Sequence, residues 1–345
     1  MTPSKTTHDW SGETVLITGA GGFVGAHLAR QLLTKGARVV CLLRSTAKIN
    51  ALDLLDLRRQ IEIVVGSVED LPLLEDLLRQ FRIDAVFHLA AQSIVGTAAH
   101  SPLPTFEGNI RGTWSLLEAC RLTSLPRRIV VASSDKVYGT HSLDPSTEND
   151  PLLGLSPYAV SKVCTDHLTR SFAETYCVPV AVGRSSNVYG PADLNFSRIV
   201  PGTFLALLQD RSPIIESDGT PIRQLIHVED LVQGYLRLAE KVEQFTGHAF
   251  NFGGSPPIQI RALVEQLVEV AGSTDRLPPK VLRLPQPDRK IDAQILSTEK
   301  AQKLLGWQAE IPLNTGLAAT WNWYRQHIPS LFLSARSPLE SPLPL

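Results

Sequence analysis

The stretch Thr14 to Gly36, TVLITGAGGFVGAHLARQLLTKG, decides the fold. Thr14 to Ala20 is an apolar run that reads as a strand. GAHLARQLLTKG, residues 25–36, reads as a helix closed by Gly36. Between them lies the glycine-rich turn TGAGGFVG, residues 18–25. Gly19, Gly22 and Gly25 give G-x-x-G-x-x-G; the G-x-G-x-x-G pattern does not fit, because Val24 takes its last position. Glycine admits positive φ and lets a pyrophosphate approach the backbone, while the helix N-terminus offers free N–H groups. This order of strand, turn and helix predicts that Gly19, Gly22, Phe23, Val24 and Gly25 bind NAD(P).

Working outward, RVVCLLR (38–44), IEIVVG (61–66), AVFHLAA (85–91) and RIVVASS (128–134) read as further strands. VEDLPLLEDLLRQF (68–81) and TFEGNIRGTWSLLEACRLT (105–123) supply helices between them. Strands that alternate with helices imply a parallel sheet, and their near-continuous apolar character implies burial on both faces. After about residue 185 the rhythm loosens and Pro, Asp and Arg increase, as in LRLPQPDRKIDAQ (282–294). The expected class is therefore α/β: a Rossmann-type doubly wound parallel sheet with a smaller mixed α/β C-terminal substrate-binding part. The expected divisions are a tail at 1–11, the nucleotide-binding domain at 12–185, the substrate part at 186–328 and a loose Ser/Pro-rich tail at 329–345. The second strand ends Leu43-Arg44-Ser45, and no Asp or Glu occurs between Gly25 and Asp53. An acid there would hold the ribose 2′-OH of NAD. Arg44 instead suits a 2′-phosphate, which favours NADP over NAD.

Composition excludes several classes. A formal net charge of −1 gives no basis for capturing nucleic acid or an anionic membrane. The four cysteines, Cys41, Cys120, Cys164 and Cys177, form no metal-ligand spacing and read as free thiols in a cytoplasmic protein. The nine histidines are scattered without metal spacing, so no metal is expected. The N-terminus lacks a signal-peptide core, and no run is long enough to span a bilayer.

SPYAVSK, residues 156–162, places Tyr158 and Lys162 four apart, with Ser156 as a helix cap and Pro157 in the first turn. On a helix the pair shares one face. A tyrosine titrates near ~10 when free, and an adjacent ammonium would favour tyrosinate. Such a tyrosine can take the proton of a carbinol while the nicotinamide takes the hydride.

TGAGGFVG, FHLAAQS, NIRGTWSLLEA, SSDKVYG, SPYAVSK, NVYGP and LLGW occur in the order found in extended short-chain dehydrogenases/reductases. Over residues 12–326 the chain resembles their NAD(P)-dependent nucleotide-sugar epimerases and dehydratases, most closely the CDP-glucose 4,6-dehydratases. The resemblance implies a nucleotide-diphosphate-sugar substrate, a tightly bound, recycled cofactor and a homodimer. SSDKVYG (133–139) carries the finer distinction. Simple 4-epimerases tend to have uncharged residues where Asp135 and Lys136 stand; 4,6-dehydratases have Ser/Thr, Asp, then Glu or Lys. Oxidation at C4 acidifies the C5 proton, and loss of water then needs a base at C5 and an acid at the C6 hydroxyl. Asp135 is read as that acid and Lys136 as that base, with stabilisation of the enolate by a cationic Lys136 as the alternative. Neighbouring side chains of an extended strand point oppositely, so the chain must turn at Asp135 for both to reach one sugar.

By the same resemblance, Ser134 bonds the C4 oxygen beside Tyr158. Leu89, Ala90 and Ala91 lie along the cofactor, as do Ser67 and Val68, and Asn109 stabilises the strand ends near it. Ser93 approaches the sugar and Asn187 the substrate phosphate. Arg198, Arg223 and Arg289 are the candidates for diphosphate and nucleotide contacts, since guanidinium forks match phosphate oxygens. Several residues depart from the family pattern: Ser67 where Asp is frequent, Gln224 after Arg223, small residues before Asn187, and Ser297 before LLGW. A 4-epimerase or 4-reductase on this scaffold is the alternative activity, and a non-catalytic nucleotide-binding regulator the alternative class.

Overall fold

The computed structural model describes residues 8–47, 49–139, 143–273, 277–281 and 293–334, the last six of these by backbone alone. Arg289, and parts 1–7 and 335–345 of the expected tails, lie outside the described residues. Six strands up to residue 185 lie parallel in one sheet: β1 (Thr14–Thr18), β2 (Arg38–Leu43), β3 (Glu62–Val65), β4 (Ala85–His88), β5 (Arg128–Ser134) and β6 (Val180–Ser185). A seventh strand, Ala249–Phe252, pairs with β6, and the spatial order runs from it through β6, β5, β4, β1 and β2 to β3. The order reverses between β1 and β4. In doubly wound sheets ligands bind at that crevice, beyond the C-terminal strand ends.

The strands read as continuous apolar runs because each side of the sheet is covered. Val15, Ile17, Cys41, Phe87 and Val130 face one core, with α1 (Phe23–Thr34) and the helix Val228–Glu240. Leu16, Val40, Val86, Ile129 and Val131 face the other, under the helices Leu71–Phe81, Gly112–Thr123 and Pro157–Tyr176. Full burial of one such side chain contributes roughly 1.5–3 kcal/mol, so the two-sided pattern strongly specifies the sheet.

Past β6 the chain builds a third core from Phe204, Leu225, Leu263, Leu267 and Tyr324, flanked by two- and three-stranded ladders. Val228–Phe252 then crosses back over the division expected at residue 185, adding a helix to one sheet face and a strand to its edge. The reason is visible in AFNF (249–252): all four residues are buried, and their pairing removes the open edge that β6 would otherwise present. Among the described residues no helix is long and apolar enough to cross a membrane.

Candidate active site

One continuous cavity of about 1130 Å³ runs over the C-terminal ends of the strands. At one end lies the glycine turn. Gly19 has φ +76°, and a Cβ there would stand 2.6 Å from the Ala90 amide nitrogen. A Cβ at Gly25 would stand 2.5 Å from the Gly19 carbonyl oxygen. Gly22 caps α1 without any side-chain hydrogen bond, so the first N–H groups of the helix face the cavity. This cradle fits a dinucleotide pyrophosphate. Phe23 and Val24 line it as well, as do Arg44, Val68, Leu89, Ala90 and Ala91.

Ser67 does not line the cavity; its hydroxyl accepts the Glu69 N–H at 3.3 Å and stabilises the turn after β3. Gly66, Val68 and Glu69 form that stretch of wall. Asn109 lies just behind the wall, in a π-helical turn. Its side chain accepts the Gln92 N–H (2.7 Å), then donates to the Gln92 carbonyl (3.1 Å) and to Ser161 Oγ (2.9 Å). It therefore positions the Ala90–Ser93 segment. Beneath that segment His88 bridges Thr18 (2.8 Å) and Thr113 (3.1 Å), and burial holds it far below the usual range, at about 3, so it is neutral.

Ser134, Asp135, Lys136, Tyr158 and Lys162 line the centre of the cavity. Ser134 ends β5 and caps a four-residue 3₁₀ turn, Asp135–Tyr138, by accepting the Lys136 N–H at 3.3 Å. This turn brings Asp135 and Lys136 to the same cavity. Asp135 is 2 % exposed. Its Oδ1 accepts from Ser134 Oγ (3.0 Å) and Lys136 Nζ (2.9 Å), while its Oδ2 has no partner among the described residues. Lys136 also donates to Asn187 Oδ1 at 3.1 Å. Burial pushes the Lys136 ammonium below the usual lysine range; Asp135 opposes this, and Arg223 and Arg198 add to it. Asn187 thus contacts Lys136 directly and lines the cavity, where the resemblance expects it at the substrate phosphate.

Tyr158 and Lys162 both face the cavity from the helix Pro157–Tyr176. The expected lowering of the tyrosine by its lysine is absent. Burial raises Tyr158 to about 12, with its hydrogen bond to Ser134 pulling the other way. Lys162 Nζ sits instead on the Ala132 carbonyl at 2.9 Å, because the helix packs across the end of β5. Burial brings Lys162 down from 10.5 to about 8. Between those two pH values the unfolded chain holds a proton that the folded chain has released, so stability rises with pH, by about 3 kcal/mol in all. Lys162→Met should remove this rise; denaturant midpoints at pH 8 and pH 10 measure it, and an equal slope in both proteins would refute the assignment.

At the far end, Arg198 donates to Asp193 (3.0 Å) and to Ser93 Oγ (3.2 Å), and Arg223 donates to the Ile222 carbonyl (2.8 Å). Both arginines line the cavity. Three groups escaped the sequence reading. Tyr235 reaches the cavity near Tyr158 from the returning helix, a placement that no local pattern signals. Ser133 and Ser186 line the cavity with buried hydroxyls that lack a partner among the described residues. Ser133 stands beside Ser134 in the motif and was open to the same reasoning.

The comparisons agree with this architecture. The dTDP-glucose 4,6-dehydratase of Xanthomonas campestris pv. campestris is 31% identical over 333 residues, covering 90% of this chain and 93% of that one. The structure of DesIV, a dTDP-glucose 4,6-dehydratase from Streptomyces venezuelae with NAD bound, superposes with a TM-score of 0.83 at 28% identity, covering 92% and 98%. The UDP-glucose 4-epimerase of Thermotoga maritima, solved with UDP-glucose, also gives 0.83, at 27% identity and 91% and 99% coverage. The chain spans about half, 47%, of the length of the trifunctional Arabidopsis thaliana UDP-glucose 4,6-dehydratase/epimerase/reductase that it matches at 28% identity over 91% of its own length. Residues 16–320 match the GDP-mannose 4,6 dehydratase family model, and the chain belongs to that family of extended short-chain dehydrogenases/reductases.

Proposed function

We propose that the chain is a nucleotide-sugar 4,6-dehydratase, which oxidises C4 of a nucleotide-diphosphate hexose, removes water across C5–C6 and yields the 4-keto-6-deoxy sugar. The observation that carries this reading is the 3₁₀ turn that points Asp135 and Lys136 into the cavity that Tyr158 also faces. A bound NAD(P) supplies the hydride acceptor at C4 and returns that hydride to C6. Tyr158 takes the C4 hydroxyl proton, with Ser134 bonding the same oxygen. Lys136, its charge disfavoured by burial, takes the C5 proton. Asp135 gives a proton to the departing C6 hydroxyl through Oδ2, the carboxyl oxygen without a partner among the described residues. These roles require a carboxyl that gives a proton and an amine that takes one; burial disfavours the Lys136 charge, which suits the second. Arg198 and Arg223 hold the diphosphate end of the substrate, and Ser93, bonded to Arg198, approaches the sugar.

Incubation with a panel of CDP-, UDP-, GDP- and dTDP-hexoses tests the reading by mass spectrometry. At least one should lose a water, with no net NAD(P)H formed; inversion at C4 with unchanged mass for every sugar would refute it. A 4-epimerase is the second reading, favoured by the equal likeness to the Thermotoga epimerase. The preferred cofactor is NADP, held by Arg44 at the open end of β2. Arg44→Asp should weaken NADP binding about tenfold or more, the loss of one charge-assisted hydrogen bond, and leave NAD less affected. Calorimetric titration of both cofactors decides this, and an unchanged NADP affinity would reject Arg44. The reading also carries a cytoplasmic homodimer. The face of the helices Gly112–Thr123 and Pro157–Tyr176 suits its interface, with Trp114 44% exposed beside Cys164 and Leu168.

A further inference from the structure

We infer that Tyr138 and Arg184 are positioning residues that lock the Asp135–Lys136 turn against the helix carrying Tyr158 and Lys162. The inference rests on the dehydratase reading of that turn. Tyr138 is the last residue of the 3₁₀ turn and is 1 % exposed. Its hydroxyl donates to Asn251 Oδ1 at 2.7 Å and accepts from Arg184 Nη1 at 2.7 Å. Arg184 then grips Asp166 with both remaining arms of its fork, Nε to Oδ2 and Nη2 to Oδ1, each at 2.8 Å. Asp166 lies one helical turn beyond Lys162 and two beyond Tyr158, so the grip falls on the helix that presents the redox pair. Asn251, on the edge strand, donates in turn to the Ser146 carbonyl at 3.0 Å.

Arg184, Asp166 and Asn251 are each 0–1 % exposed, and neither they nor Tyr138 line the cavity. Burial of an ion pair at this depth is costly, and a hydrophobic replacement is often as stable. What a fully satisfied network of this kind supplies is one fixed geometry. The turn needs it. A single 3₁₀ turn has poor internal hydrogen bonding and cannot hold two reacting side chains to a fraction of an ångström by itself. The network joins the turn, the redox helix, β6 and the edge strand. The base at C5 and the acid at C6 are thereby placed relative to the tyrosine at C4.

Tyr138→Phe keeps the ring and deletes both hydroxyl bonds. Single-turnover reactions on the nucleotide hexose that the wild-type chain dehydrates separate the steps: quenched samples report the 4-keto sugar and the water-loss product. The expected result is a water-loss rate lower by about tenfold to a hundredfold, the effect of sub-ångström to 1 Å misplacement, with C4 oxidation and cofactor affinity nearly unchanged. A purely structural role would slow both steps in proportion, and that result, or no change in either, overturns the inference. Should Tyr138→Phe not fold, Asn251→Ser, which removes one of the two bonds, carries the same expectation and the same refutation. A wild-type chain that inverts C4 without losing water removes the reading underneath; wild-type water loss with an indifferent Tyr138→Phe removes this inference alone.

Discussion

Asp135→Asn is expected to stop loss of water while C4 oxidation still occurs once per bound cofactor, so that the 4-keto-6-hydroxy sugar builds up to at most one per site. The carboxyl is nearly sealed from solvent, with one oxygen held by Ser134 and Lys136 and the other buried without a partner among the described residues. Asparagine preserves that shape but cannot give a proton to the leaving C6 hydroxyl. Removal of a positioned general acid costs about 10²–10⁴-fold in rate. The substitution also removes the Asp135 contribution that favours the Lys136 ammonium, so burial lowers the lysine's affinity for a proton further. Rapid quench and mass spectrometry follow both species. Turnover nearly equal to wild type would mean that the pair is a strand-end ion pair and that the activity is inversion or reduction at C4.

Tyr158→Phe is expected to silence both steps, again by about 10²–10⁴-fold, because water loss depends on the ketone that C4 oxidation creates. In the protein alone the hydroxyl stays protonated at neutral pH, since burial raises it to about 12. Proton removal therefore depends on the Ser134 hydrogen bond and on positive charge brought close when the cavity fills. Nucleotide binding should survive, because the arginines at the far end do not touch this residue. A variant that keeps turnover would show that Tyr158 is not the acceptor of the C4 proton; a wild-type chain that binds nucleotide but turns over no nucleotide sugar would support a regulator without chemistry.

The nucleotide-binding half is legible in the sequence because its signals are local. TVLITGA, the glycine turn and Gly36 each specify their own backbone, and β1 to β5 declare two-sided burial in their composition. The turn at Asp135 is legible from chemistry: two adjacent side chains can meet one sugar only if the strand ends there. Contacts between distant segments are not legible. Lys136 reaches Asn187 across 51 residues, through the pairing of β5 with β6. Tyr235 and the edge strand arrive from a segment whose local pattern does not say which sheet it joins. Ser67 and Lys162 are both held by backbone groups, for different reasons. Each makes a backbone bond instead: Ser67 accepts the Glu69 N–H two residues on, a local turn, whereas Lys162 donates to the Ala132 carbonyl, which only the folded chain brings within reach.

The most direct test uses a hexose nucleotide deuterated at C4. If an acid and a base beside an oxidised C4 act in one cavity, the product is lighter by one water and carries the deuterium at C6. Deuterium returned to C4, in a sugar of unchanged mass, would contradict the account and leave only inversion at that carbon.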